Sequence, residues 1–268
     1  MRFHAVFFLA ADPSHLGRVD KSSLSTQSLM EVFIGGIENK EVICGIAEEP
    51  AYIDQWEGVK YSQEQRPDGA EKQFDIYWGG LSLIGTIDLQ WLPTNVLSLK
   101  IIYNKLSGSL NLTTLPPFMR FLNFTSNAFS GEISLCLLPA EIRILNLSNN
   151  QLSGSLNLEK LPQLIQALFL ACNRFTGTVC LRNLPQNLHA LSVRDNTLSG
   201  MVDLTHLPVE MKKLWLQQNQ FEGKTDFSQL PDALKELDVS YTNLCGEIAI
   251  RNRGKYFIVE HSNVELIQ

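Results

Sequence analysis

The residue types that most often carry catalysis or bind metals are scattered in this chain of 268 residues. The five histidines are His4, His15, His189, His206 and His261, and none lies in a His-Glu-x-x-His motif. No two of the five cysteines form a Cys-x-x-Cys pair. The glycine-rich phosphate-binding motifs Gly-x-x-x-x-Gly-Lys-Ser/Thr and Gly-x-Gly-x-x-Gly do not occur. We therefore expect a protein that is not an enzyme and that binds no metal and no cofactor.

Composition and charge narrow the class of partner. Hydrophobic residues make up 44% of the chain and charged residues 19%, which is typical of a folded globular protein. The formal net charge of −6 gives no basic footprint for nucleic acid. No apolar run reaches the roughly 18 residues that a membrane span needs. We expect a protein partner, no nucleic acid and no membrane span.

The N-terminal segment 1–11 is apolar after one basic residue and allows two interpretations. A buried strand or apolar segment is favoured over a signal peptide. His4 interrupts the apolar stretch, and Leu9 stands where a cleavage site needs a small residue. Because a signal peptide is not favoured, a cytoplasmic location is favoured, while a secreted or surface location stays open.

Internal repeats dominate the rest of the chain. A glycine recurs every 23 residues, a Leu-Pro step keeps the same period, and so does an asparagine, as in Asn150, Gly154 and Leu161-Pro162. In each unit two apolar residues alternate with polar ones, for example Leu145 and Leu147, which predicts a short half-buried strand. Since stacked units share one core, the pattern predicts a solenoid of the α/β repeat type with about eight parallel strands.

The repeated asparagine follows each predicted strand, where the chain must turn and expose backbone groups to the interior. Its side chain has both donors and an acceptor, so a ladder of these residues is expected to satisfy the turns. The predicted ladder consists of Asn104, Asn127, Asn150, Asn173, Asn196 and Asn219.

These repeats resemble the leucine-rich-repeat superfamily. Leu152-Ser153-Gly154-Ser155-Leu156 resembles the plant receptor subclass, Leu184-Pro185 through Asn196 resembles the bacterial effector subclass, and similar hybrid repeats occur in protists. The resemblance implies a horseshoe whose concave parallel sheet binds protein partners, with a mostly irregular or short 3-10 helical convex side. Trp56-Glu57-Gly58-Val59 is similar to the plant-type N-terminal cap. The expected divisions are an N-terminal segment and cap at 1–73, repeats at 74–250 and a C-terminal cap at 251–268.

The variable positions beside the strand leucines are the candidate binding residues, because they face outward from the expected concave sheet. Aromatic residues and arginine are enriched at the centres of protein interfaces. The candidate partner-binding residues are Phe121, Phe169, Arg194, Trp215 and Tyr241, with Phe169, Arg194 and Trp215 at the centre. Two alternatives stay open: ordinary surface aromatics, and a secreted or surface receptor-like fragment that recognises a peptide or glycan.

Overall fold

A computed structural model describes residues 20–62, 72–249 and 255–267. In these residues the chain forms a solenoid of two sheets, and each repeat contributes one strand to each sheet. The apolar segment 1–11, for which a buried strand or a signal peptide was considered, lies outside the described residues.

The first sheet has ten strands, of which nine are parallel, and it contains all eight strands that the sequence predicts. The three-residue strands of the repeats bury their middle residue, and the residues on either side of it point away from the core; in β8, for example, Leu145 is buried between Ile144 and Asn146. The strands of this sheet, in spatial order, are β1 (Val59–Tyr61, antiparallel to its neighbour), β2 (Phe74–Tyr77), β4 (Val96–Lys100), β6 (Phe121–Asn123), β8 (Ile144–Asn146), β10 (Ala167–Phe169), β12 (Ala190–Ser192), β14 (Lys213–Trp215), β16 (Glu236–Asp238) and β18 (Tyr256–Ile258).

The second sheet was not predicted from the sequence. It is built from the Leu-Ser-Gly-x segments, and its glycines adopt a positive φ, for example +84° at Gly154. The strands of this sheet are β3 (Ile84–Thr86), β5 (Lys105–Gly108), β7 (Ala128–Glu132), β9 (Gln151–Ser155), β11 (Arg174–Gly177), β13 (Thr197–Gly200), β15 (Gln220–Lys224), β17 (Asn243–Ala249) and β19 (Asn263–Ile267). The segments that return from the second sheet to the first are turns or short 3-10 helices, such as Leu89–Trp91 and Leu112–Thr114.

The hydrophobic core fills the space between the two sheets. The first sheet contributes inward residues such as Leu145, Leu168 and Leu191, each fully buried. The second sheet contributes one inward residue per strand, and leucine alternates with phenylalanine from repeat to repeat. These residues are Leu106, Phe129, Leu152, Phe175, Leu198, Phe221 and Leu244. A large side chain therefore lies beside a smaller one in the next repeat, an alternation that suits close packing.

The six repeated asparagines connect neighbouring repeats at the turn between the sheets. In each, Oδ1 accepts the backbone N–H 21 residues earlier, and Nδ2 donates to the carbonyl oxygen 26 residues earlier. For Asn150 these partners are the Phe129 amide at 3.1 Å and the Phe124 carbonyl at 2.9 Å. Each asparagine thus pairs backbone groups that the turn would leave buried and unsatisfied.

The two described ends of the solenoid are built differently. At the N-terminal end, helix α1 (Thr26–Phe33) is followed by the short helix α2 (Glu41–Cys44) and a 3-10 turn at Ile53–Gln55. The Phe33 ring stacks on Trp78 with their centres 6.1 Å apart. At the other end, β18 and β19 add one more strand to each sheet.

Candidate binding surface

The outward residues of the first sheet form two parallel columns because equivalent positions in successive repeats pair in register. The first column holds Phe121, Ile144, Ala167, Ala190, Lys213 and Glu236, and the second holds Asn123, Asn146, Phe169, Ser192, Trp215 and Asp238. Three of the five candidate partner-binding residues, Phe121, Phe169 and Trp215, lie in these columns, and Arg194 and Tyr241 lie beyond the strand ends.

Phe169 and Trp215 come together on this surface. They stand on β10 and β14, with Ser192 of β12 between them in the register. Their ring centres are 6.3 Å apart with an interplanar angle of 41°. Although Ser192 points outward, only 4% of it is exposed, which is consistent with the two rings covering it. We call Phe169 and Trp215 the aromatic pair.

The Trp215 side chain is held in place by its neighbours. Its indole N–H donates to Glu236 Oε1 at 2.7 Å. Lys213 Nζ lies 5.2 Å from the centre of the Trp215 ring and 3.2 Å from Glu236 Oε2. The cation over the ring and the hydrogen bond to the indole fix the rotamer, so little side-chain entropy remains to be lost on binding.

Arg194 is exposed and lies two residues beyond Ser192, in the repeat between those of Phe169 and Trp215. Its carbonyl accepts from the Cys172 amide at 3.0 Å and from Asn196 Nδ2 at 3.1 Å. Its guanidinium forms no ion pair with a described residue. Burial and the nearby Asp195 raise the pKa of the Cys172 thiol, and the charge of Arg194 lowers it.

Phe121 and Tyr241 lie apart from the aromatic pair. Phe121 stands on β6, two strands before Phe169, with Lys100 Nζ 5.9 Å from its ring centre. Tyr241 stacks on His261 at 4.4 Å between ring centres. Phe169 and Trp215 are therefore in contact, whereas Phe121 and Tyr241 mark other parts of the same side.

Three polar residues of the second column have a local structural role that the sequence analysis missed. Asn123, Asn146 and Asp238 each accept the backbone N–H two residues later, at 3.0, 3.0 and 2.9 Å. They form Asx turns where the strand ends. The sequence pattern that indicates these turns is an Asn or Asp followed two residues later by Ser or Thr, and it occurs in Asn123-Phe124-Thr125, Asn146-Leu147-Ser148 and Asp238-Val239-Ser240. The first two of these segments also match the glycosylation triplet Asn-x-Ser/Thr.

Residues 20–62, 72–249 and 255–267 hold no cluster of three or more His, Cys, Asp or Glu side chains arranged for a metal ion. They also contain no helix with the length and apolar character needed to cross a membrane. All five cysteines are unpaired.

Known proteins share this fold. The Leucine Rich Repeat family model matches residues 141–162. A search of curated proteins finds no match. The structure is similar to the plant peptide hormone receptor RGFR1 in complex with RGF2, with a TM-score of 0.51, 24% sequence identity and coverage of 62% of this chain and 28% of the receptor.

Two further solved structures match over 91% of this chain, each with a TM-score of 0.53. One is a plant ice-binding protein, with 16% identity and 95% of its own chain covered. The other is the ectodomain of the Arabidopsis thaliana receptor kinase GASSHO1/SCHENGEN3 in complex with CASPARIAN STRIP INTEGRITY FACTOR 2, with 18% identity and 38% covered. The chain thus spans well under half of both receptor structures. The family model thus identifies residues 141–162 as a leucine-rich repeat, and the 23-residue period of the other units and the similarity to these structures show that the chain has a leucine-rich-repeat solenoid fold.

Proposed function

We propose that this chain is a non-catalytic recognition module that binds a protein or peptide on the outer face of its first sheet, the concave side of the horseshoe. The aromatic pair carries the proposal. Phe169 and Trp215 are large apolar side chains on an outward face, and neighbouring groups already fix the Trp215 rotamer. Preformed aromatic anchors of this kind are typical of interface hot spots.

The surroundings of the pair support binding rather than chemistry. Trp215 is flanked by Lys213 and Glu236, and Arg194 extends from the intervening repeat. This combination of apolar rings and rim charges is typical of a protein interface. In RGFR1 and GASSHO1, solved with RGF2 and CASPARIAN STRIP INTEGRITY FACTOR 2, the same fold accommodates a ligand.

The proposal is tested with ligands selected from a phage-displayed library of short random peptides against the purified chain. Each selected peptide is then titrated by calorimetry against the wild type and the double variant Phe169→Ala/Trp215→Ala. We expect the double variant to weaken binding by about a hundredfold, since truncating two anchors costs about 2–4 kcal/mol.

The matched control is Leu137→Ala/Met201→Ala. Leu137 and Met201 are 68% and 70% exposed and lie outside the first sheet, so their loss removes apolar surface without touching the aromatic pair. Circular dichroism confirms that both variants are folded. If every selected peptide binds the Phe169/Trp215 variant as tightly as the wild type, the proposal is wrong.

A further inference from the structure

A row of mostly basic residues follows the edge of the first sheet at which the chain enters each strand. The backbone links them in order: the Arg143 amide donates to the Arg120 carbonyl at 2.8 Å, and the Lys235 amide donates to the Lys212 carbonyl at 2.9 Å. Neighbouring members are therefore about 4.8 Å apart at the backbone. The basic row consists of Arg120, Arg143, Gln166, His189, Lys212, Lys235 and, by the pairing of β18 with β16, Lys255.

The cations of this row form no ion pair within the described residues. Arg143, Lys212 and Lys235 form no ion pair there, and Glu141 and Glu210, two positions before Arg143 and Lys212, form none with the row. At one end of the row, burial raises the pKa of Asp75, and the charges of Lys100 and Arg120 partly oppose this rise. At the other end, Lys255 Nζ lies 5.8 Å from the centre of the Phe257 ring.

The positive charge of the row contrasts with the net negative charge of the molecule as a whole. The whole chain carries a net charge of −6, and residues 31–57 at the N-terminal end contain seven acidic residues and one lysine. A line of unpaired cations on an acidic protein favours a ligand of complementary charge at this edge.

The charge of the row is interrupted at its centre. Gln166 and His189 separate the two arginines from the lysines. The next residues on the same strands are Ala167 and Ala190, whose small side chains lie between the row and the second column. That column holds Phe169 and Ser192 at this point, and Phe169 forms the aromatic pair with Trp215. The surface therefore has an apolar centre between two basic flanks.

We propose that this surface binds an extended peptide segment whose apolar centre is flanked by acidic residues on both sides. The inference rests on the proposed function and names its ligand class. The strands of Arg143 and Lys212 are three steps apart, or about 14 Å, which an extended chain covers in about four residues. Two glutamates four positions apart would meet Arg143 and Lys212, and apolar residues between them would lie over Ala167 and Ala190 against Phe169.

A uniform polyanion fits this surface less well. Nucleic acid or a sulfated glycan would place negative charge along the whole row, including over Ala167, Ala190 and the aromatic pair. Burying charge against apolar side chains without a cation costs free energy, whereas an apolar peptide side chain gains it. The uncharged centre therefore favours a peptide of mixed character.

The test uses the full chain and a fluorescein-labelled probe of sequence Glu-Glu-Ala-Leu-Phe-Glu-Glu-Glu, followed by fluorescence anisotropy. We expect the double variant Lys212→Glu/Lys235→Glu to weaken binding by about tenfold or more. Lys105→Glu/Lys160→Glu is the matched control because it changes the net charge equally at exposed lysines outside the first sheet. This control should change the affinity by less than about twofold. A probe with serine in place of Leu-Phe should bind about tenfold more weakly.

Several results would overturn the inference: no binding of the acidic probe, equal binding of a probe with lysine in place of glutamate, or no effect of the charge reversal. Equal binding of a single-stranded oligonucleotide of the same charge would show a general polyanion site instead. Concentration-dependent dimerisation in sedimentation experiments, lost on charge reversal, would assign the row to the acidic N-terminal region of a second copy. If library-selected peptides depend on Phe169 and Trp215 but not on Lys212 and Lys235, the proposed function stands and only the inference fails.

Discussion

At the scale of single residues, the side chains of the repeated asparagines join one repeat to the next. Asn150 is 9% exposed and pairs with the Phe129 amide, the Phe124 carbonyl and the Leu147 carbonyl. Its side chain supplies donors and an acceptor at a point that water does not reach. The free energy that it contributes is mainly that of avoiding unpaired backbone groups.

The substitution Asn150→Ala should therefore lower the free energy of unfolding by about 2–4 kcal/mol, because it leaves a buried N–H and a buried carbonyl unpaired. Urea denaturation followed by circular dichroism measures the change. Asn183→Ala is the control, since Asn183 is exposed and its side chain bonds only to Glu159, and it should cost less than about 0.5 kcal/mol. Equal effects of the two substitutions would show that the ladder does not stabilise the stack.

Asp203 provides a pH-dependent contact on the outside of the solenoid. Its Oδ1 accepts from the Thr205 hydroxyl at 2.6 Å and the Thr205 amide at 2.9 Å, and its Oδ2 accepts from Arg182. These bonds hold the pKa of Asp203 well below its ordinary value of 3.8. A lowered folded-state pKa stabilises the protein above pH 3.8 and loses this effect as the pH falls toward the folded-state pKa.

The difference in unfolding free energy between the wild type and Asp203→Asn should accordingly be largest near pH 7 and shrink as the pH falls below about 4. Urea unfolding at neutral and acidic pH measures it. The effect will be modest because the Arg182 side chain is 63% exposed and water screens the ion pair. A difference that stays constant down to pH 3 would contradict this role of Asp203.

At the scale of elements, the threonines of the last repeats show how the same side chain acts at two positions. Thr225 stands where the preceding repeats bury Val179 and Val202. Its hydroxyl is buried and has no hydrogen-bond partner among the described residues. Thr242 stands at the asparagine-ladder position, and its hydroxyl donates to the Val239 carbonyl at 2.7 Å.

Replacing each threonine by valine should have opposite effects. Thr225→Val should raise the free energy of unfolding by about 1 kcal/mol, because an unpaired buried hydroxyl becomes a methyl group. Thr242→Val should lower it by about 1–2 kcal/mol, because the Val239 carbonyl loses its partner. Thermal unfolding of the two variants measures both changes in stability. A Thr225→Val variant less stable than the wild type would mean that the Thr225 hydroxyl is paired in solution.

The sequence predicted the first sheet better than the second for a physical reason. A first-sheet strand such as Leu145 to Leu147 shows two apolar residues in alternation, and the period of 23 repeats that signal. A second-sheet strand such as Gln151–Ser155 buries only Leu152 among polar residues, so its alternation is too short to recognise. Its pairing follows from the stacking of neighbouring repeats, which a single repeat does not encode.

The binding surface was predictable only in part. The positions of Phe169, Arg194 and Trp215 within their repeats followed from the 23-residue period. The approach of the two rings across Ser192 did not, because it depends on side-chain rotamers two repeats apart. The fixation of Trp215 by Lys213 and Glu236 likewise depends on contacts between neighbouring strands.

At the scale of the whole molecule, the regular stack creates a surface that no single repeat has. Two sheets bury a shared core, and the first sheet lines up side chains from successive repeats about 4.8 Å apart. The repeated asparagines and leucines keep this spacing, so residues at the variable positions can change without disturbing the fold. This separation of scaffold and surface is the basis of the proposed recognition function.

The most direct test is a photo-crosslinking map of a library-selected peptide that carries benzoylphenylalanine in place of its aromatic residue. After irradiation of the complex, mass spectrometry identifies the crosslinked residues of the chain. Binding on the first sheet predicts crosslinks to residues 167–171, 190–194 and 213–217, with few or none in the Phe169→Ala/Trp215→Ala variant. Crosslinks concentrated in the second sheet, at residues 151–155, 174–177 and 197–200, would contradict the proposed recognition surface.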